Sequence, residues 1–146
     1  MFGMGVKIED STKRVEDAAG RAALATHRQG AHAIMEDARK SIVKRPTSSG
    51  RDTKGRFKAV GAKTAAPAGK PPYTKRGLIR RAIRYAADRE GAVIGTIASQ
   101  IGTAGSPHEL GGEYKGATFE QRPFMLPALQ QNLTRIAGDW AGSIGT

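Results

Sequence analysis

Residues 121–129 read Gln121-Arg122-Pro123-Phe124-Met125-Leu126-Pro127-Ala128-Leu129. A proline steers the residue before it toward extended backbone, and Pro127 suits the first turn of a helix, where its missing N–H leaves no bond unmade. The stretch is therefore an extended segment that turns into a helix. Downstream, Leu126, Leu129, Leu133, Ile136, Trp140 and Ile144 recur at helical spacing. That spacing puts all six on one face of a C-terminal amphipathic helix.

Upstream, residues 12–43 contain no proline, are dense in alanine, and set Glu16 and Asp17 before Arg21, and Glu36 and Asp37 before Arg39 and Lys40. They predict a helix about thirty residues long, roughly 45 Å at 1.5 Å per residue. Its apolar stripe, Val15, Ala18, Ala19, Ala22, Leu24, Ala31, Ile34, Met35, Ala38 and Ile42, is thin. Gly20 and Gly30 are its weak points. Small residues on that face permit close helix packing. A short strand is expected near Gly5–Ile8, with Asp10, Ser11 or Thr12 as helix cap.

Thr74 or Gly77 opens a helical turn that should point Leu78, Ile79 and Ala82 inward and Arg76, Arg80, Arg81 and Arg84 outward. Residues 83–87 and 92–98 then read as two strands, joined at Asp88–Gly91 with glycine supplying a positive φ. Residues 106–112 read as a loop with a brief strand or helical turn, and 114–119 as an edge-type third strand. The result is one α+β domain over residues 1–146: a long N-terminal helix, a small antiparallel sheet (hairpin plus edge strand), and the C-terminal amphipathic helix.

Charge is unevenly placed. The chain of 146 residues carries +11 overall, but residues 39–84 hold +14 and the remainder −3. A near-neutral body thus carries one basic segment, and such a segment attracts a polyanion. Its centre is a long loop, about 44–76, rich in proline, glycine, serine and lysine; loops of that length are functional or disordered. The candidate contacts to DNA or an acidic partner are Lys44, Arg45, Arg51, Lys54, Arg56, Lys58, Lys63, Lys70, Lys75, Arg76, Arg80 and Arg81. Phe57 anchors either a partner or a small hairpin laid on the body. The plainer alternative is a solvated basic loop with no partner.

Catalytic signatures are missing from the sequence. It holds no cysteine, and His27 and His32 are five apart, so they do not share a helix face as a zinc-binding pair would. His108 and Glu109 are adjacent and diverge in space, without a nucleophile motif beside them. The glycines form neither a phosphate loop nor a dinucleotide fingerprint. No enzyme, metal or cofactor is expected. The apolar runs are too short for a membrane span or a secretory signal, which predicts a protein made in a cytoplasm with no membrane partner. The basic segment lacks interleaved aromatics, so contacts to nucleic acid would be sequence-independent and salt-sensitive.

Four elements recur together in one family: Thr74, Gly77, Leu78, Arg80 and Ile83; then Val93, Ile94 and Gly95; then His108, Glu109, Leu110 and Gly111; then Arg122, Pro123, Phe124, Met125, Pro127, Ala128 and Leu129. Over residues 70–140 the chain resembles the small neck or tail-completion proteins of long-tailed bacteriophages, also described as tail-component or virion-morphogenesis proteins. The resemblance implies a structural role in the virion, at the junction of capsid portal and tail tube. It also implies a homo-oligomeric ring, six- or twelve-fold, stacked on other neck proteins and the tail tube, with genome DNA passing through the channel. Particles would assemble in the host cytoplasm. Gly77, Leu78, His108, Glu109, Gly111, Arg122, Pro123, Phe124, Pro127, Leu129, Leu133, Ile136 and Trp140 are the residues expected to carry fold and assembly. A tail-terminator ring is the neighbouring alternative. A non-specific nucleic-acid-binding protein is the alternative from another class.

Overall fold

The structure, a computed structural model, describes residues 12–45, 49–51, 54, 57–59 and 65–143. The expected strand near Gly5–Ile8, the candidate helix caps Asp10 and Ser11, and Arg56, Lys63 and Ile144 lie outside the described residues. Helix α1 runs Thr12–Ser41 without a break. Its buried residues are Ala23, Thr26, Gly30, Ala31, Ile34, Met35 and Ala38, one stripe of i, i+3 and i+4 steps. The first third of the expected stripe is not buried, and Val15 is 65% exposed. The reason lies in the partner helix. Helix α5, Met125–Ser143, packs antiparallel on α1, with Asn132 Nδ2 donating to Asp37 Oδ2 (2.8 Å) and Trp140 stacked on His27. That direction carries the end of α5 toward the middle of α1. Over the exposed first third, Arg89 lies against Gly20 and 3.9 Å from Asp17.

Gly30 is a point of contact rather than a break. A Cβ there would come within 3.0 Å of Ile136 Cγ1, so the missing side chain lets the two helices approach.

The short helix α2 (Leu78–Ala82) leads into the hairpin of β3 (Ile83–Ala87) and β4 (Ala92–Thr96), paired antiparallel with Tyr85 opposite Ile94. The hairpin turn differs from expectation. Gly91 does not adopt a positive φ; instead the Asp88 carboxylate accepts the Glu90 and Gly91 N–H groups at 2.8 and 2.9 Å. These bonds hold the Asp88 carboxyl below the usual carboxylate range. Leu78 also departs from expectation, being 44% exposed. Ile79 and Ala82 do face the core.

After β4 come α3 (Ala98–Ile101), a 3₁₀ turn (Gly102–Ala104) and α4 (Gly105–Leu110). Gly105 is buried where any Cβ would collide with Thr96 Oγ1. Residues 114–119, expected to supply an edge strand, belong instead to a separate hairpin of β5 (Gly112–Tyr114) and β6 (Ala117–Phe119). Lys115 (φ 52°) and Gly116 (φ 72°) make its two-residue turn, and two successive positive φ values are what tight hairpins need. With a third ribbon in the basic loop, β1 (Ser49–Arg51) and β2 (Phe57–Ala59), the described strands make three two-stranded sheets. The α+β class stands: long helix, hairpin plus further small sheet, C-terminal helix.

The core is Ile34, Met35, Ala38 and Ile42 of α1, Ile83 of β3, and Phe124 and Ala128 around the start of α5. Phe124 is among its largest fully buried side chains, and burying such a group contributes about 1.5–3 kcal/mol. The phase of α5 leaves the apolar stripe only partly covered. Ala128 and Asn132 are buried, Ile136 is partly buried, and Leu126, Leu129, Leu133 and Trp140 remain 37–52% exposed. Phe124 anchors the helix entry, and small Ala128 with polar Asn132 permit closer approach to α1 than leucine would. The leucines are left on the flank.

Candidate functional site

The basic segment is pinned at its neck. Lys44 bridges Thr74 in parallel fashion, Thr74 N–H donates to Val43 O (3.0 Å), and Arg45 N–H donates to Thr74 O (3.1 Å). Thr74 is buried, and its Oγ1 accepts the Gly77 N–H at 2.9 Å. This local turn places Gly77 in the left-handed region (φ 72°) and starts α2. The Thr-x-x-Gly-Leu element is thereby explained as a hinge between loop and helix.

The second half of the loop is stitched to the body by Arg122. Buried to 8% exposure, it donates Nε–H to Ala66 O (2.6 Å), Nη1–H to Glu120 O (3.1 Å) and Nη2–H to the Glu120 carboxylate (3.1 Å). Gly69 N–H donates to Gln121 O (2.8 Å), and Ala66 and Pro72 are buried. Arg122 is thus a structural cation whose charge is spent internally.

Glu109 has an equally structural task. Its carboxylate accepts the N–H groups of Phe124 (2.9 Å), Met125 (3.0 Å) and Leu126 (2.8 Å), the unpaired donors at the entry to α5. A negative charge there also meets the positive end of the helix dipole. Gly111 (φ 74°) ends α4 and comes so close to Gln121 that a Cβ would lie 3.3 Å from its backbone nitrogen. His108, beside Glu109 in sequence, instead lies edge-on to Phe119, and Arg122 N–H donates to its carbonyl at 2.6 Å. Burial pushes its imidazole pKa down, with the positive charge of Arg122 adding to the effect. Its Nδ1 is buried with no hydrogen-bond partner among the described residues. The pair is two separate structural devices.

A different arrangement forms where α1, α2 and β3 meet. Arg39, Arg76, Gly77, Arg80, Arg81 and Arg84 line an open cleft of about 390 Å³. Arg39 forms its floor: Nη2–H donates to Ile83 O (2.7 Å), Nη1–H to Glu36 (3.0 Å), and Nε is buried with no hydrogen-bond partner among the described residues. Arg84 and Arg81 make long bonds to the carbonyls of Ile83 (3.3 Å) and Arg76 (3.4 Å). Among the described residues, Glu36 is the one carboxylate within ion-pair distance of any of the five. Five guanidiniums, always charged and carrying planar forks of donors, thus face one open space with a surplus of positive charge. Such a space takes phosphate or carboxylate oxygens.

The structure therefore brings together Arg76, Arg80 and Arg81 of the expected contacts and adds Arg39 and Arg84. Lys44, Lys54, Lys70 and Lys75 are exposed, and Arg45 is half-buried; none of them lines the cleft. Arg51 and Lys58 stand in β1 and β2 of the loop hairpin. The outward position of Arg84 follows from strand alternation. Arg39 carries no such signal, because only the tertiary packing of α1 against β3 turns it toward the cleft.

Among the described residues, no group of three or more His, Cys, Asp or Glu side chains could hold a metal ion, and no helix is long and apolar enough to cross a membrane. No family model matches the chain, and neither a curated protein nor a solved structure matches it.

Proposed function

We propose that this chain is a structural virion protein of the head–tail junction of a long-tailed bacteriophage. It would act as a ring-forming neck or tail-completion component that joins connector to tail tube. The observation that carries the reading is the arginine-lined cleft beside the base of the basic loop. Together they make one positive face on an otherwise near-neutral body. That face suits genome DNA moving through a channel, or an acidic neighbouring ring, because contacts to a repeating anion hold without reading sequence. The motif resemblance over residues 70–140 supplies the virion setting. In this role the protein binds and positions, and performs no covalent chemistry. A tail-terminator ring uses the same parts at the end of the tube. A free nucleic-acid-binding protein uses the same cleft without assembly.

The test is a reconstruction of the intact particle with the chain tagged, alongside particles produced without it. The proposal predicts density for a symmetric ring between portal and tube, and unjoined heads and tails in its absence. A chain absent from particles, monomeric, and bound tightly to DNA would replace this reading with the nucleic-acid binder.

A further inference from the structure

The flank of α5 is only partly covered by the fold, with Ile136 against Gly30 and Trp140 stacked on His27 of α1. Leu126, Leu129, Leu133 and Trp140 are 49, 37, 52 and 41% exposed, although they lie on one helix. With Ile136 their spacing is 3-4-3-4, the seam by which two helices interlock. Beside its N-terminal end, Ile34, Ile94, Glu109, Met125, Leu126 and Leu129 line a groove of about 260 Å³. That is below the usual range for a drug-sized ligand and suits a side chain.

We infer that this flank pairs with the same flank of a second copy of this chain, the two α5 helices antiparallel about a two-fold axis near Leu133. Charge selects the occupant. Helix α5 holds one cation, Arg135, and one anion, Asp139, in a chain of +11. Two copies repel through their basic faces and meet with least opposition through this neutral one, whereas an acidic partner is drawn to the arginines instead. Geometry selects the register. Leu133 is the midpoint of the Leu126–Trp140 stripe, so antiparallel pairing sets Leu133 against itself and Trp140 of the second copy over the groove beside Leu126. A contact of roughly 21 Å along the helix and one helix wide buries on the order of 1,000 Å² in total, the lower end for a specific interface. A two-fold contact pairs copies and does not close a ring, so the inference goes beyond the virion reading and does not depend on it.

The chain has no cysteine, which makes introduced thiols unambiguous. Oxidised Leu133→Cys is expected to run as a covalent dimer, and Arg135→Cys, on the opposite side of the helix, as a monomer. Leu126→Cys and Trp140→Cys should link when mixed and not alone. Equal linking of Leu133→Cys and Arg135→Cys, or self-linking of Leu126→Cys, would overturn the arrangement. As a second measurement, Leu133→Asp should halve the mass seen by light scattering at matched circular dichroism. It should also red-shift the emission of Trp140, the single tryptophan. An unchanged mass would overturn the proposal, and the thiol test holds even if that variant folds poorly.

Discussion

Arg122 and the arginines of the cleft share a side chain and differ in almost everything else. Arg122 is buried, and all three of its nitrogens donate to groups of its own chain. Arg76, Arg80 and Arg84 stand exposed around one space, with at most long bonds to carbonyls. In the first case charge has been used to tie a loop to the body. In the second it has been gathered and left for something outside. A buried cation with satisfied donors reports on folding; a cluster of exposed cations short of carboxylates reports on binding. That distinction separates the conserving of shape from the making of contacts, and it can be broken by experiment.

The largest stability effect is expected at Arg122. Arg122→Ala leaves the Ala66 carbonyl without its donor and releases residues 65–72, at a cost of about 2–4 kcal/mol in urea unfolding. Its affinity for polyanions should hold at temperatures where the variant remains folded. Glu109→Gln comes next, at about 1–2 kcal/mol, since a neutral amide offers one acceptor oxygen to three N–H groups and no charge to the helix end. A loss at Arg122 below about 0.5 kcal/mol would dissolve the comparison, because its bonds would then be incidental.

A smaller effect is expected from pH. His108 has a depressed pKa when folded, so between the unfolded value near 6.5 and the folded value the unfolded chain binds more protons. Stability should therefore be constant above about pH 6.5 and fall as pH drops below it. His108→Asn should flatten that slope in thermal melts across pH 5–8. Smallest of all for stability is the combined change of Arg76, Arg80, Arg81 and Arg84 to Gln, expected to shift unfolding by less than about 0.5 kcal/mol as exposed substitutions do.

Much of the frame was legible in residue order. The proline-free, alanine-rich run of α1, the strand–turn–strand of β3 and β4, and the proline punctuation before α5 all follow from local backbone rules. The phase of α5 was not legible. Leucine spacing names a stripe, but close approach at Gly30, Ala128 and Asn132 decided which face turned inward. The hairpin at 112–119 was hidden because Lys115, not a second glycine, takes one of its two positive φ positions. Of the candidate site, Arg76, Arg80 and Arg81 could be listed from charge alone. Arg39 could not, since its place in the cleft depends on packing between residues forty-four apart. Glu109 was marked by motif, and its capping role emerged only with α5 in place.

The most direct test of the polyanion-binding face is the affinity for a short DNA duplex, measured from 50 to 200 mM salt for the native chain and the four-arginine variant. The account predicts steep salt dependence for the native chain. For the variant it predicts a slope of log K on log salt shallower by about 3–4, and an affinity lower by about 10- to 100-fold at the low-salt end. Equal affinities and equal slopes for the two proteins, with both folded, would contradict it.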